Sequence, residues 1–295
     1  MDETDGPRWP GYRLYPVERW RDGQGDSIED VVAEEVPVVL VYNGTPHVVM
    51  LATPLDLEDF ARGFTLTEAI VENVSEIESI RVFERSKGIE VRVRIPEARC
   101  DMAQEKERNL TGRTGCGLCG SRSLEAAIRS PRPVRSVVTL DPDRLGWALT
   151  ELAARQRINS VTGAVHAAAW FPENGSDPVV REDVGRHNAL DKLIGSLAIQ
   201  GVDPARGFIV VTSRASFEMV QKCSAAGVGI MAAVSAPTGL AIRLAEEAGL
   251  TLIGFARNHN HVIYTHAHRM VHRNRIQCAV EDESQASNTT SRISL

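Results

Sequence analysis

Two thiols at C-x-x-C spacing, Cys116 and Cys119 in Thr114-Gly-Cys-Gly-Leu-Cys-Gly-Ser121, are the side chains of this sequence best suited to chemistry. Such a pair can share a metal ion, cycle as a dithiol and disulfide, or carry a sulfur atom as a persulfide. A structural zinc site takes four ligands, usually two such pairs. Only one pair exists here, and Cys100, Cys223 and Cys278 lie in unlike contexts. A thioredoxin-type dithiol sits between a buried strand and a helix start, whereas a charged, aperiodic stretch precedes this pair. Glycines at 115, 117 and 120 free the backbone, so the spacing predicts an accessible loop. A sulfur-carrier site fits that setting best, but spacing alone leaves all three chemistries open.

Polar groups recur downstream at places where a ligand could meet them. His166, in Val161-Thr-Gly-Ala-Val-His-Ala-Ala168, is either a satisfied histidine on a core strand or a point of close approach for a ligand. The zinc-deaminase pattern H-x-E followed by P-C-x-x-C is not met, because Ala168 replaces the glutamate and the cysteine pair precedes the histidine. Most side chains of Arg181–Lys192 are charged or are His or Asn. That density reads as a solvated helix start or as a ligand wall in which Arg181, Arg186, His187 and Lys192 meet a phosphate or pterin group, with Asp183 as a helix cap. Ser213, Arg214 and Ser216 follow the apolar run Phe208–Val211, and Ser235–Thr238 follows the next one. Helix N-termini beyond the carboxyl ends of parallel strands offer unpaired N–H groups to anions. Gly254–His261 adds polar groups to the same edge. There is neither a G-x-G-x-x-G fingerprint nor a P-loop. Five histidines fall between 259 and 272, but the alternation of His259 and His261 fits one strand face, and we assign no metal.

The elements that must position these residues divide the chain at about residue 97. Residues 1–26 are expected to be disordered. A β-rich region over 27–96 holds two hairpins, Val38–Tyr42 with His47–Ala52 across Asn43-Gly44, and 80–86 with 89–95 across Lys87-Gly88. A helix opens at Pro54. Residues 97–122 form a linker carrying the cysteine loop. From 123 to 275 strands and helices alternate: helix 144–157, strand 163–171, helix 188–199, strand 208–212, helix 216–226, strand 228–234, helix 237–248, strand 250–255 and an edge strand at 262–264. Short loops between them imply right-handed parallel crossovers, an α/β fold. Residues 276–295 are expected to be a disordered tail.

The 295 residues are 43% hydrophobic and 24% charged, ordinary for a globular chain. A net charge of −6 gives no overall basic surface, so we expect no nucleic-acid partner. No apolar run reaches the roughly 18–20 residues that span a bilayer, and the acidic N-terminus lacks an apolar signal core. We therefore expect a cytoplasmic protein with no membrane partner. An odd cysteine count argues against a secreted disulfide framework.

Taken together, NG-x-P with TPLDLEDFARGFTLTE, then TGCGLCG, VTGAVHAA, REDVGRHNALDKLIG, TSRASFEMVQKCSAAGVGI and VSAPTGLAIRLAEEAGLTLIGF resemble the formate dehydrogenase accessory sulfurtransferase family over roughly residues 35–265. The resemblance implies a cytidine-deaminase-like three-layer α/β domain with an added β-rich N-terminal region, in a homodimer. It implies a sulfurtransferase that accepts persulfide sulfur from a cysteine desulfurase on Cys116, with Cys119 assisting or resolving. The sulfur goes to the molybdenum or tungsten bis-pterin guanine dinucleotide cofactor, bound as a substrate that guanine nucleotide would mimic, and formate dehydrogenase becomes active. Phe255, Ala256, Arg257, Asn258, His259 and Asn260 align with the family's cofactor-binding segment. Given such a ligand, Asp183 or Asp191 suits the guanine, Ser213 and Arg214 the phosphates, and His187 and His166 line the same wall. A non-catalytic cofactor chaperone is the alternative. Asn258-His-Asn-His261 stands where relatives often carry glycine and arginine. Ala69 stands where they often carry glycine, a difference we attribute at this point to packing.

Overall fold

The computed structural model describes residues 9–100, 130–257 and 259–271. Cys116, Cys119 and Asn258 lie outside the described residues, as does the expected tail at 276–295. The chain opens with a two-stranded hairpin, β1 (Tyr12–Arg21) and β2 (Gln24–Ala33), closed by Asp22-Gly23, both at positive φ. This replaces the expected disorder through residue 26. The ribbon stays largely exposed on both faces, so no alternation of apolar and polar residues marked it.

Next comes a four-stranded sheet, β3 (Val36–Tyr42), β4 (Thr45–Ala52), β5 (Ser79–Arg85) and β6 (Gly88–Arg94), in the order β4-β3-β6-β5. Its two hairpins are the expected ones, with Asn43 and Gly44 both at positive φ as a primed turn requires. β3 and β6 pair in parallel. Helix α1 (Leu57–Thr67) crosses one face of this sheet, and Phe60, Phe64, Val38, Leu40 and Val91 form a core of their own.

The larger unit is mixed α/β. Its strands are β7 (His166–Pro172), β8 (Val179–Asp183), β9 (Gly207–Val211), β10 (Ile230–Ala233), β11 (Thr251–Arg257) and β12 (Asn260–Ile263), in the order β12-β11-β10-β9-β7-β8. Among the described residues its helices are α2 (Pro142–Arg155), the short α3 (Asn159–Thr162), α4 (Arg186–Ile199), α5 (Phe217–Ala225) and α6 (Gly239–Ala248). β9, β10 and β11 run parallel and are joined through α5 and α6, as the strand–helix rhythm predicts. β7 runs antiparallel to β9, and β12 is an edge strand as expected. Successive strand residues face opposite layers. Ile209, Val211, Met231 and Leu252 meet α4, α5 and α6, while Phe208, Val210, Ala232 and Ile253 meet α2. The sheet therefore lies between two helical layers.

β8 carries Arg181–Asp183, part of the polar run that reads in sequence as a solvated helix start or a ligand wall. Instead Asp183, Asn188, Asp191 and Lys192 are buried. Burial of charge is tolerable only when each charge is paired, and here each is. Asp183 Oδ2 lies 2.7 Å from Lys192 Nζ and accepts the Thr53 N–H, while Oδ1 accepts from Gly185 N–H and the Asn188 amide. Lys222 Nζ donates to both oxygens of Asp191 at 2.9 Å and to Glu68 Oε1 at 3.2 Å. Burial alone would depress the Lys222 ammonium, but Asp191 and Glu68 outweigh it and hold the group above its ordinary value. These networks tie α1 and the β4–α1 turn to α4 and α5. The same two helices meet at glycines: a Cβ on Gly63 would run into the Asp191 carbonyl, and one on Gly195 into the Asp59 carbonyl.

Candidate functional site

The carboxyl ends of β9, β10 and β11 open onto loops that are bonded to one another. Ala215 N–H donates to Ala236 O, Thr238 N–H to Ala215 O, and Phe255 N–H to Ser235 O. His166 joins this edge because β7 starts where β9 ends: Thr212 N–H donates to the carbonyl of the next residue, Ala167. The N-terminus of α4 arrives beside it. Gly185 caps that helix without a side-chain bond, and no acidic residue lies in its first turn.

Four cationic or titratable groups collect here. Arg214 is exposed. Arg186 is half-buried, and its Nε has no hydrogen-bond partner although it is shielded from solvent. Burial pulls the Arg186 guanidinium down from its ordinary value; Glu218 opposes that and Arg214 adds to it. His187 Nε2 lies 2.9 Å from Glu218 Oε2 and 3.4 Å from Ser216 Oγ. His166 is held below the ordinary histidine value, first by burial, then by the positive fields of Arg186 and His187. Glu218 is the acidic group these fields share at the surface; Asp183 is already neutralised by Lys192. Unbalanced positive charge beside an uncapped helix N-terminus is an environment for a bound anion.

The other sequence-derived candidates divide. Phe255 sits on the edge, 40% exposed and at φ 52, a backbone region that bulky residues rarely occupy. Arg257 and Asn260 are exposed and pair across the β11–β12 turn. Ala256 is fully buried in the core facing α2, so its side chain meets no ligand. His259 packs its ring against Gly146 of α2. Ser213 is 4% exposed and its hydroxyl is engaged, donating to the Arg214 carbonyl. Thr238 is a routine cap that accepts from Ala241 N–H. Asp183 and Asp191 are 0% exposed with their oxygens engaged, which removes both as guanine acceptors. Of the polar wall read in sequence, Arg181 is likewise committed, to Asp59 at 2.8 Å, and Lys192 to Asp183. Glu218 is the residue that sequence reasoning missed. Its position two residues after Ser216, in the first turn of α5, was the available signal. Among the described residues no three His, Cys, Asp or Glu side chains gather as a metal site.

Known proteins resemble this chain over most of its length. The FdhD/NarQ family model matches residues 33–271. A protein of Cupriavidus necator named sulfur carrier protein FdhD is 52% identical over 89% of this chain and 91% of its own length. One of the same name from Xanthomonas euvesicatoria pv. vesicatoria is 51% identical over 88% and 93%. A crystal structure assigned to a formate dehydrogenase accessory protein of Desulfotalea psychrophila superposes with a TM-score of 0.70 at 23% identity. It covers 89% of this chain and all of that one, and supports the fold. A family match across most of the chain, with relatives at half identity, places this protein in the FdhD/NarQ family.

Proposed function

We propose that the protein is a sulfur carrier serving formate dehydrogenase, and that it works through a persulfide on Cys116. The Cys116 thiolate attacks the terminal sulfur of a cysteine desulfurase persulfide. The donor S–S bond breaks, the donor leaves as thiolate, and Cys116 carries the extra sulfur. Cys119 then attacks Cys116 Sγ. A Cys116–Cys119 disulfide forms and the terminal sulfur departs as hydrosulfide toward the metal of the bis-pterin guanine dinucleotide cofactor. Cys119 thus supplies the two electrons, and a thiol reductant restores the pair. The cofactor is substrate here, seated at the carboxyl edge with its diphosphate against Arg186 and Arg214 and an aromatic base on Phe255. The fold is read as deaminase-like, the working unit as a homodimer and the compartment as the cytoplasm.

The observation that carries the cofactor part is the Arg186 guanidinium, shielded but unpartnered at Nε, beside Arg214 and two histidines. Guanosine diphosphate should bind the full-length protein, and Arg186→Ala with Arg214→Ala should weaken it roughly tenfold or more, the loss expected for charge-assisted contacts. Equal affinity would remove both arginines from the site. For the sulfur part, Cys116→Ala incubated with desulfurase and cysteine should show no added sulfur by intact-protein mass spectrometry. A cofactor chaperone without sulfur chemistry predicts instead that the Cys116→Ala, Cys119→Ala double variant still activates formate dehydrogenase.

A further inference from the structure

His187 and Glu218 form an ion pair on the cationic edge, with Nε2 and Oε2 2.9 Å apart and side chains 23% and 14% exposed. His187 comes from the first turn of α4 and Glu218 from the first turn of α5. A carboxylate is stabilised at a helix N-terminus, so Glu218 already fills the position that an anion would take on α5. Ser216, the cap of α5, also faces His187, at 3.4 Å. The negative field of Glu218 reaches Arg186 as well, where it opposes the loss of charge that burial favours. On α4 the situation is reversed, because its cap has no side-chain bond and its first turn no acidic residue.

This arrangement limits how much negative charge a ligand can bring. Arg186 and Arg214 can each match one charge. His166 is held below the ordinary histidine value, so it is mostly neutral at about pH 7. His187 is engaged by Glu218. Arg257 ends β11, two strand spacings or about 10 Å from β9. The base is assigned to Phe255 on that same strand, so the ligand runs from β11 toward α4 and α5. Its far end then arrives at the His187–Glu218 pair.

The chemistry of that far end sets the charge. In a dinucleotide the diphosphate is esterified on both sides and carries one negative charge per phosphate. In a free nucleoside diphosphate the terminal phosphate ionises again with a pKa of about 6, and the added charge meets Glu218. Like charges brought together in a partly desolvated site are costly. Free guanine nucleotides share base and diphosphate with the cofactor, so contacts to those parts cannot tell them apart, whereas a repulsive group can. We propose that the His187–Glu218 pair is the selectivity element of this edge, turning away a terminal phosphate and admitting a guanine diphosphate whose far phosphate is esterified. This rests on the cofactor reading above and adds the residue that separates the cofactor from free guanine nucleotides.

Calorimetric titration of the full-length protein compares guanosine diphosphate with guanosine diphosphate mannose, which has the same base and diphosphate but an uncharged sugar on the far phosphate. The readout is the ratio of the two dissociation constants, since the sugar's own contribution cancels when ratios are compared between proteins. Glu218→Gln should tighten guanosine diphosphate roughly tenfold and leave the mannose ester within about twofold of the parent. Glu218→Asp, which keeps the charge, should keep the parent's ratio. An unchanged ratio in Glu218→Gln would overturn the proposal and leave the cofactor reading standing. A ratio shifted as far in Glu218→Asp as in Glu218→Gln would also refute it, since charge would not be what selects. Loss of both ligands by Glu218→Gln counts against it too, because removing an excluding charge cannot weaken the site. If neither ligand binds the parent, the cofactor reading fails and the proposal fails with it.

Discussion

His166 shows how one side chain can report on the site. Burial and the neighbouring Arg186 and His187 hold it below the ordinary histidine value, so the unfolded chain binds the proton first. As pH falls below about 6.5, stability contributed by neutral His166 is lost progressively until the folded value is reached. Chemical denaturation should show this decline, and His166→Gln should flatten it. An anion on the edge favours the protonated ring, so guanosine diphosphate should bind more tightly as pH falls through the same window, and less so in the variant. Ala69 makes a different point. It lies at φ 52 just past α1, so this position places a demand on the backbone and not only on packing. The left-handed region costs an L-residue roughly 1–2 kcal/mol, partly offset by the greater unfolded entropy of glycine, about 0.4–1 kcal/mol. Ala69→Gly should therefore raise stability by about 0.5–1 kcal/mol, visible as a higher melting temperature.

Helices α1 and α4 belong to different cores yet approach until their backbones touch. Gly63 and Gly195 permit this, because either Cβ would collide with a carbonyl of the facing helix. A backbone atom cannot rotate aside as a side chain can. Gly195→Ala should cost about 1–3 kcal/mol, the usual range for overpacking, read as a lower urea midpoint. If the midpoint does not move, the helices are less tightly seated than described. The consequence reaches the site, since α4 presents Arg186 and His187 from its first turn.

Across the whole molecule, buried ion pairs tie the small sheet to the large one. Lys222 compensates Asp191 and Glu68 together, while Lys192 compensates Asp183 and donates to the Thr53 carbonyl. Breaking such a pair strands a buried charge. Lys222→Met should cost about 3–5 kcal/mol, and removing Asp191 as well, in Lys222→Met with Asp191→Leu, should restore part of it. Additive losses in that cycle would mean that Lys222 and Asp191 are not energetically coupled.

Local patterning was enough to place β3–β6 and the β9–α5–β10–α6–β11 run. Primed turns at Asn43-Gly44 and apolar strands bounded by helix starts are short-range signals, written within a few residues. The position of Arg214, exposed just past β9, was readable for the same reason, whereas the C-x-x-C pair lies outside the described residues. The hairpin β1–β2 was not, because a ribbon that buries neither face leaves no hydrophobic period. Nor could the sequence say which polar residues of Arg181–Lys192 face a ligand. Arg186 and Arg181 are alike as letters, but one meets Asp59 and the other meets no partner at Nε. Whether a charge is spent or free depends on what the chain brings opposite it from more than a hundred positions away, and that only the tertiary structure decides.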